Sequence, residues 1–425
     1  MPFMNRVPTD AIRRPLGTCR APLISGAVAI LWMLACSLAA AQTPSPSLTL
    51  EAAVARALVA HPSIAAARAR QLVDQAGVSL AGERLNPEGR VEFEREAPKQ
   101  AYTVAFPLEM GRKRPARVAV AQAAVQTGEA ELAETIFEVG ALVRRMYFER
   151  AVAEARLALL DQLRTIAQRA RDAAQQRFDA GDVPRLEVVQ ADLMMAAADS
   201  ESTAARGTSE SARIRLNALL ALPLNSPTPL ATPLDAGMVL APDAALARAQ
   251  AANAELAVLN RRLEEQRARI ALARTQQTPD LTPEFTVTHG SEPEFSTGWR
   301  AAVAVGLPLF TRHRAGVRLE EAALTQLTLE RDAALARITG EVTASAAVAE
   351  AQRLTYIRYR DEIIPKAIEA ERMAEDSYSL GQTGIASLLQ ALQASRDVRL
   401  RSLQAVSDFH SARADLERAT GAPLP

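Results

Sequence analysis

An apolar heptad pattern constrains this fold more than any other feature of the sequence. Between residues 112 and 180, every seventh position from Val118 to Ala174 is apolar, and charged residues lie between these positions. An apolar repeat of about 3.5 residues per turn, sustained over this length, predicts a helix that packs along a coiled-coil seam. At about 1.5 Å per residue, the helix would be roughly 100 Å long.

The chain contains this pattern twice. Gly181 and Gly381, which follow the two long helical segments, are 200 residues apart (381 − 181), and six apolar heptad positions recur from Leu335 to Ala370. Internal repetition decides the architecture of a chain, so we predict two repeats that each contain a pair of long antiparallel helices. Pro365 removes one backbone donor from the second long helix, and we expect a bend there.

Segments with a period of two precede each long helix. They predict β-strands at residues 89–96, 101–107, 281–289 and 299–308, each with an apolar face and a polar or small face. Strands of about nine residues suit a tilted crossing of a bilayer, with the polar face toward a water-filled lumen. The strand residues predicted to face the lumen are Arg90, Glu92, Glu94, Glu284 and Arg300.

The number of strands predicts assembly. Four strands are too few to close a barrel, and an open sheet edge is not tolerated in lipid. A ring of identical chains solves this problem, because each edge then meets the same partner edge. The strands alone leave a soluble hairpin protein as the alternative.

Proline positions and helix periodicity predict the domain boundaries. Repeat 1 covers residues 42–222, a Pro-rich linker covers 223–242, and repeat 2 covers 243–421. The helices predicted in repeat 1 are 48–60, 63–85, 112–180 and 184–221. The helices predicted in repeat 2 are 244–251, 254–278, 312–380 and 383–420.

The N-terminus predicts export. A basic segment, an apolar run and a small-residue ending indicate a signal peptide at residues 1–41, cleaved after Ala41. Lipoprotein processing at Cys36 is the alternative. Both cysteines, Cys19 and Cys36, lie in this leader, so we expect a mature chain without a thiol.

Charge and motifs argue against several function classes. The formal net charge is zero, which provides no basic field for nucleic acid. The four histidines are not paired at ligand spacing, and we expect no fixed metal site and no cofactor. We find no nucleophile elbow, phosphate loop or zinc-protease motif, and we predict no catalytic residue. A general acid–base pair among Glu92, Glu94 and Glu284 is the enzymatic alternative to a wet pore lining.

These features resemble the TolC family of outer-membrane efflux proteins over residues 48–421. The resemblance rests on the order of helices and strands, the two glycine turns and four short segments: Leu48–Ala52, Ala57-Leu58, His61-Pro62 and Ile364-Pro365. It implies a mainly α fold with a small membrane β-barrel: two structural repeats, long antiparallel coiled-coil helices and four strands per chain. It further implies a homotrimer with a twelve-stranded barrel in the outer membrane, in contact with its lipid, and a large periplasmic portion.

The resemblance also implies partners and sites. The channel would give substrates passive exit from the periplasm to the exterior. A periplasmic adaptor (a membrane fusion protein) and an inner-membrane pump of the resistance-nodulation-division type would deliver these substrates. Carried over by position, the helix-tip residues that would contact the adaptor are Arg177, Gly181, Asp182, Gly381 and Gln382. The possible gate region contains Glu187, Ser387 and Gln390, and only the first of these is acidic, whereas family members often carry acidic rings early in the last helix.

The segment 107–117 is similar to the Gly-x-Lys-Arg-x-x-Arg segment of the cobalt–zinc–cadmium efflux subgroup, through Gly111, Lys113, Arg114 and Arg117. This similarity implies heavy-metal cations as substrates. The basic residues would lie where barrel meets helix, either bound to lipid phosphates or solvated. The alternatives are efflux of drugs or organic solutes, a duct for type I protein secretion and a soluble periplasmic coiled-coil adaptor.

Overall fold

The computed structural model describes residues 47–235, 237, 239–291 and 295–424. The predicted signal peptide, its cleavage after Ala41 and the lipidation alternative at Cys36 lie outside these residues. Within the described ranges, no helix has both the length and the apolar character that spanning a membrane requires.

The first repeat consists of two short helices, a β-hairpin and two long helices. Its elements are α1 (Leu50–Ala60), α2 (Pro62–Ala81), β1 (Glu88–Phe93), β2 (Gln100–Ala105), α3 (Lys113–Asp179) and α4 (Arg185–Leu219). Helix α2 ends four residues before the predicted end at residue 85. It ends there because Gly82, a weak helix former, is its C-cap, and the Gly82 carbonyl accepts a hydrogen bond from Arg114 Nε at 2.6 Å.

The second repeat has the same order of elements, with one interruption. Its elements are α5 (Pro242–Ala252), α6 (Ala254–Thr275), β3 (Leu281–Ser291), β4 (Phe295–Val305), α7 (Arg314–Arg358), a π-helical turn (Tyr359–Ile363), α8 (Ile364–Ser379) and α9 (Ile385–Thr420). Helix α5 begins at Pro242, which the sequence assigned to the linker, because proline suits the first turn of a helix.

The continuous helix predicted at residues 312–380 is wrong. The ring of Pro365 would crowd the carbonyl of Asp361, and the chain instead forms a π turn in which Ile364 N–H bonds to the Tyr359 carbonyl. The wider turn shifts the later heptad positions by one residue. Ala370, predicted in the seam, is therefore exposed, and Glu371 is buried in its place.

The strand boundaries also differ from the prediction, because each strand ends where its partner ends. The last β1–β2 pair is Phe93 with Gln100, so β1 stops at Phe93 and Glu94 lies in the hairpin turn. At the opposite end of the second hairpin, Val305 pairs with Leu281, so β4 stops there rather than at residue 308. The four strands form one antiparallel sheet in the order β1-β2-β3-β4.

The helices pack in two regions, one next to this sheet and one near the glycine turns. Near the strands, α2, α3, α6 and α7 pack side by side in that order, which matches the order of the strands. Near the glycine turns, α3 packs against α4 and α9, and α9 packs against α8. All nine heptad positions of α3 are buried or half-buried, as a packed seam requires. Each repeat has its own apolar core, and a third core around Leu160, Leu163 and Leu388 joins the repeats.

The linker between the repeats is bound to the middle of α3. The Tyr147 hydroxyl donates to the Leu48 carbonyl at 2.8 Å and accepts from Thr232 N–H at 3.1 Å. Arg150, only 2% exposed, donates to the Thr228 hydroxyl at 2.6 Å and to Glu154. These bonds satisfy buried polar groups, so they stabilise the irregular segment without secondary structure.

Candidate functional site

The two faces of the sheet differ in chemistry. One face is apolar and exposed to the exterior of the chain, with Val91, Phe93 and Trp299 at 55%, 72% and 75% exposure. On the opposite face, the hydroxyls of Thr103 and Thr286 are 2.8 Å apart and buried. The sheet therefore has the amphipathic character of a membrane strand layer.

The predicted lumen residues lie on the Thr103 face. Register places Arg90 opposite Thr103 and Arg300 opposite Thr286, so one row of side chains crosses all four strands. Glu92 and Glu284 occupy the same face, opposite Ala101 and Ala105 respectively. Glu94 does not belong to this group of strand residues, because it lies in the hairpin turn beyond the last β1–β2 pair. The face thus combines two carboxylates with two guanidinium groups.

The basic segment between β2 and α3 is engaged within the chain. Lys113, 7% exposed, places Nζ 2.7 Å from Asp280 Oδ2, and Met110 N–H donates to the same carboxylate at 2.9 Å. Burial raises the pKa of Asp280, but the hydrogen bonds from Lys113 and Met110 outweigh it, so the pKa lies below its ordinary value. Arg117 forms an ion pair with Glu109.

Backbone geometry explains the glycine of this segment. Gly111 has a φ of +67°, and a Cβ there would lie 2.6 Å from the Thr278 Cβ, so only glycine fits. Because Arg114 also binds Gly82, three basic side chains of this segment already have partners in the chain. They hold the strand–helix junction together.

The two helix tips share one backbone motif. Gly181 has a φ of +81° and Gly381 a φ of +71°. Asp182 N–H donates to the Arg177 carbonyl and Gln382 N–H to the Ser377 carbonyl, both at 2.9 Å. This bond from the second residue beyond the helix defines a Schellman motif, which requires a left-handed residue such as glycine. The side chains of Asp182 and Gln382 are exposed at the tips.

Arg177 is not an exposed neighbour of the tip, as predicted, but half-buried. Its guanidinium lies over the Tyr378 ring, 4.8 Å from the centroid, and the Tyr378 hydroxyl lies 3.4 Å from Glu187 Oε2. Burial raises the pKa of Tyr378; Glu187 raises it further and Arg177 opposes this. The structure therefore joins a predicted tip residue to a predicted gate residue through Tyr378, which the sequence analysis missed.

The other gate residues do not join this contact. Ser387 and Gln390 are exposed on α9, and neither side chain hydrogen-bonds to another residue of the described ranges. Gln390 borders a groove of about 530 Å³ between α3, α4 and α9, and the ion-paired side chains of Arg396 and Glu201 also line it.

We expect Arg177→Leu to loosen the tips. The change removes the cation–π contact with Tyr378, which is worth about 1 kcal/mol, and this corresponds to roughly fivefold faster local opening. Hydrogen exchange of peptides around Gly181 and Gly381, measured by mass spectrometry, tests this. Arg185→Leu is the matched control, because Arg185 is exposed and has no ion pair among the described residues. Equal exchange rates in the two variants would contradict the bridging role of Arg177.

The fold and these sites define a class. An amphipathic four-stranded sheet, two repeats and long helix pairs that end in glycine turns characterise a subunit of a TolC-like outer-membrane channel.

Comparisons with known proteins agree with this class. Residues 53–222 match the family described as outer membrane efflux protein. The cobalt-zinc-cadmium resistance protein CzcC of Cupriavidus metallidurans is 25% identical over 381 residues, which cover 88% of this chain and 90% of CzcC. The resemblance inferred from the sequence is confirmed, and the chain is an outer-membrane efflux channel component. Members of the family are transport channels rather than enzymes.

Solved structures share the fold. The outer-membrane channel OprN has a TM-score of 0.72 at 17% identity, covering 88% of this chain and 90% of that chain. CusC, whose structures describe transmembrane channel formation, has a TM-score of 0.72 at 15% identity, covering 88% and 92%. The predicted TolC-like fold class is thereby confirmed. Among the described residues, no group of three His, Cys, Asp or Glu side chains is placed to hold a metal ion.

Proposed function

We propose that this chain assembles as a homotrimer whose pooled strands form a twelve-stranded outer-membrane barrel above a periplasmic helical tunnel. The tunnel is a passive exit duct for substrates that an adaptor and an inner-membrane pump deliver. The observation that supports the proposal most strongly is that the sheet and the helical part of the chain both end in edges without a partner in the described chain.

The sheet has two such edges. Strands β1 and β4 each pair on one side only within the described chain, because the sheet order is β1-β2-β3-β4. Their exposed apolar side chains suit a position in the lipid. An open edge is not tolerated there, because its backbone N–H and C=O groups would be unpaired in hydrocarbon. A neighbouring copy supplies the missing partner for both edges at once.

The outer helices of the chain also lack a packing partner on one side within the described chain. Near the strands, the outer helices are α2 and α7; near the tips, they are α4 and α8. These four helices carry large apolar side chains that the single chain leaves exposed by 46% or more: Leu72, Val73, Leu80, Leu186, Val189, Leu193, Leu319, Leu329, Val348, Leu354, Ile368 and Met373. Such surfaces mark contacts with other chains. The number three comes from the family resemblance, since three copies of four strands make twelve.

The partners follow from the tips and from the family. Gly181, Asp182, Gly381 and Gln382 are exposed at the end of the helices farthest along the chain from the strands, where an adaptor (a membrane fusion protein) can reach them. Arg177 does not belong to this exposed surface; it is half-buried behind it and packs against Tyr378. We assign the pump to the resistance-nodulation-division type by the resemblance alone.

We propose heavy-metal cations as substrates. The support is the relationship to a cobalt-zinc-cadmium resistance protein and the segment Gly111–Arg117. The predicted lumen residues neither favour nor oppose this choice, because Glu92 and Glu284 are balanced by Arg90 and Arg300. Drug or organic-solute efflux and type I protein secretion are the alternatives that the same duct would serve.

The experiment is complementation of a strain that lacks its own metal-efflux channel but keeps the adaptor and pump. We expect the chain to restore growth in zinc, cobalt or cadmium and to be recovered with the outer membrane. Val91→Arg places a charge on the apolar face, costs about 2–4 kcal/mol at mid-membrane, and should abolish both results. Glu92→Arg puts the same residue on the opposite face and is the matched control for recovery with the outer membrane.

Two outcomes would contradict the proposal. Recovery of the unchanged chain only in the soluble periplasm would exclude the channel. Unchanged metal tolerance, together with restored drug tolerance or protein export, would replace the substrate and leave the duct.

A further inference from the structure

The two repeats correspond residue by residue at the sheet. Val91 pairs with Tyr102 in the first hairpin, and Pro283 pairs with Val303 in the second. The shifts are 192 residues for the first strand (283 − 91) and 201 for the second (303 − 102). The second shift also relates Pro107 to Pro308 (308 − 107 = 201) and Arg112 to His313, which both have a positive φ, 63° and 52°.

The contact between repeats inside the chain has two parts. Leu108 and Leu281 form an antiparallel bridge, with N–H to carbonyl distances of 2.8 and 3.2 Å. Lys113 forms its ion pair with Asp280 next to this bridge, at 2.7 Å. Strand pairing and ion pair together fix the second repeat against the first.

The same shifts relate the four residues of this contact to four residues at the free edges of the chain. Leu108 corresponds to Leu309 and Lys113 to Arg314 on the β4–α7 side. Asp280 corresponds to Glu88 and Leu281 to Gly89 on the β1 side. Arg314 and Glu88 are exposed, opposite in charge, and form no ion pair with any residue of the described ranges. Each edge therefore carries half of the contact that the chain makes internally.

We propose that a second copy of this chain completes that contact: Arg314 pairs with Glu88 of the neighbouring copy, and β4 pairs with its β1 so that Leu309 lies opposite its Gly89. The inference rests on the proposed ring and specifies its seam. Contacts between chains thus repeat the contacts between repeats, and the ring behaves as a cycle of equivalent repeats.

The register that follows keeps the apolar face continuous. The in-chain pair Val104–Phe285 corresponds to Val305 opposite Phe93 of the neighbouring copy. The hydrogen bond from Phe106 N–H to the Pro283 carbonyl, 2.9 Å, corresponds to Leu307 opposite Val91. All four of these edge side chains are apolar and at least 42% exposed in the single chain. A slip by one residue would place them against the polar face.

Disulfide trapping of the full-length protein in outer membranes tests the register. In Gly89→Cys/Leu309→Cys, the two Cα atoms would lie about 5.5 Å apart, within the range that a disulfide spans. A Cβ at Gly89 meets nothing within 4 Å, so the substitution has room. We expect covalent dimers and trimers on a non-reducing gel, at least tenfold more than in Gly89→Cys/Phe310→Cys, whose second cysteine is shifted by one residue to the other face.

Charge reversal tests the ion pair. Glu88→Arg and Arg314→Glu should each reduce the trimer fraction at limiting concentration several-fold, and the double variant should recover most of it. Native mass spectrometry gives the oligomeric state independently. A native trimer without cross-linking, or reversals that do not compensate, would overturn this seam and leave the ring. A monomer throughout would overturn the ring and the seam together.

Discussion

Replacing Glu371 by alanine is expected to lower the free energy of unfolding by about 3–5 kcal/mol. Glu371 is 7% exposed, and its Oε2 accepts from Ser395 Oγ at 2.5 Å and from Arg399 Nη2 at 2.6 Å. The Arg399 side chain is only 18% exposed. Without Glu371, α8 and α9 would enclose a guanidinium that has lost its counter-charge, and this is the source of the large effect. Denaturant unfolding of the purified protein in detergent measures it.

Two further variants identify the cause. Glu369→Ala removes an exposed carboxylate on the same helix and should change stability by less than about 0.5 kcal/mol. Glu371→Leu/Arg399→Leu replaces the ion pair by apolar side chains and should recover most of the loss. If the double variant is as unstable as Glu371→Ala, the buried charge is not the reason.

The second large effect concerns pH. His410 is 6% exposed, its ring stacks on Phe148 with centroids 3.8 Å apart, and neither ring nitrogen has a hydrogen-bond partner among the residues that the structure describes. Burial lowers the pKa of His410 to about 4; Arg413 lowers it as well, and Asp235 acts in the opposite direction. The folded chain therefore holds a neutral imidazole down to a pH at which the unfolded chain is protonated.

Acid should destabilise the fold through this residue. The ordinary pKa of 6.5 applies in the unfolded chain, so His410 contributes no pH dependence at pH values well above 6.5. As pH falls from 6.5 toward 4, the unfolded state binds the proton first, and about 2 kcal/mol of stability is lost by pH 5. His410→Phe keeps an aromatic ring against Phe148 and should remove this part of the pH dependence.

The measurement compares both proteins at several pH values. Unfolding free energies at pH 7.5 and pH 5 include the titration of many carboxylates, but these are common to both chains. The difference between the two proteins isolates His410. An equal loss of stability in wild type and variant would mean that the imidazole is solvated or paired in the folded state.

Much of this fold can be predicted from local patterns. The heptad positions from Val118 to Ala174 determine a long helix with one packed face, because periodicity depends only on neighbours along the chain. Alternation along the strands predicts which side chains share a face, and the register shows Arg90, Glu92, Glu284 and Arg300 together. The glycine turns are predictable because only glycine adopts the required backbone conformation without strain.

Contacts between distant segments could not be predicted in the same way. Lys113 and Asp280 are far apart in sequence, and nothing local indicates that they meet at 2.7 Å. Tyr378 occupies the position that Phe178 holds in the first repeat, and its contacts with Arg177 and Glu187 arise only when the two tips pack together. The π turn before Pro365 was missed because a proline limits the helix without specifying how the chain accommodates it.

Spacing along the chain is enough to predict the elements of this protein, their doubling, the amphipathic strands and the family they resemble. The burial of particular charges, the buried face of α8 after the π turn and the edges without a partner follow from the packed structure instead. These outcomes depend on how distant segments pack and on which polar groups lose water, and spacing along the chain does not encode either.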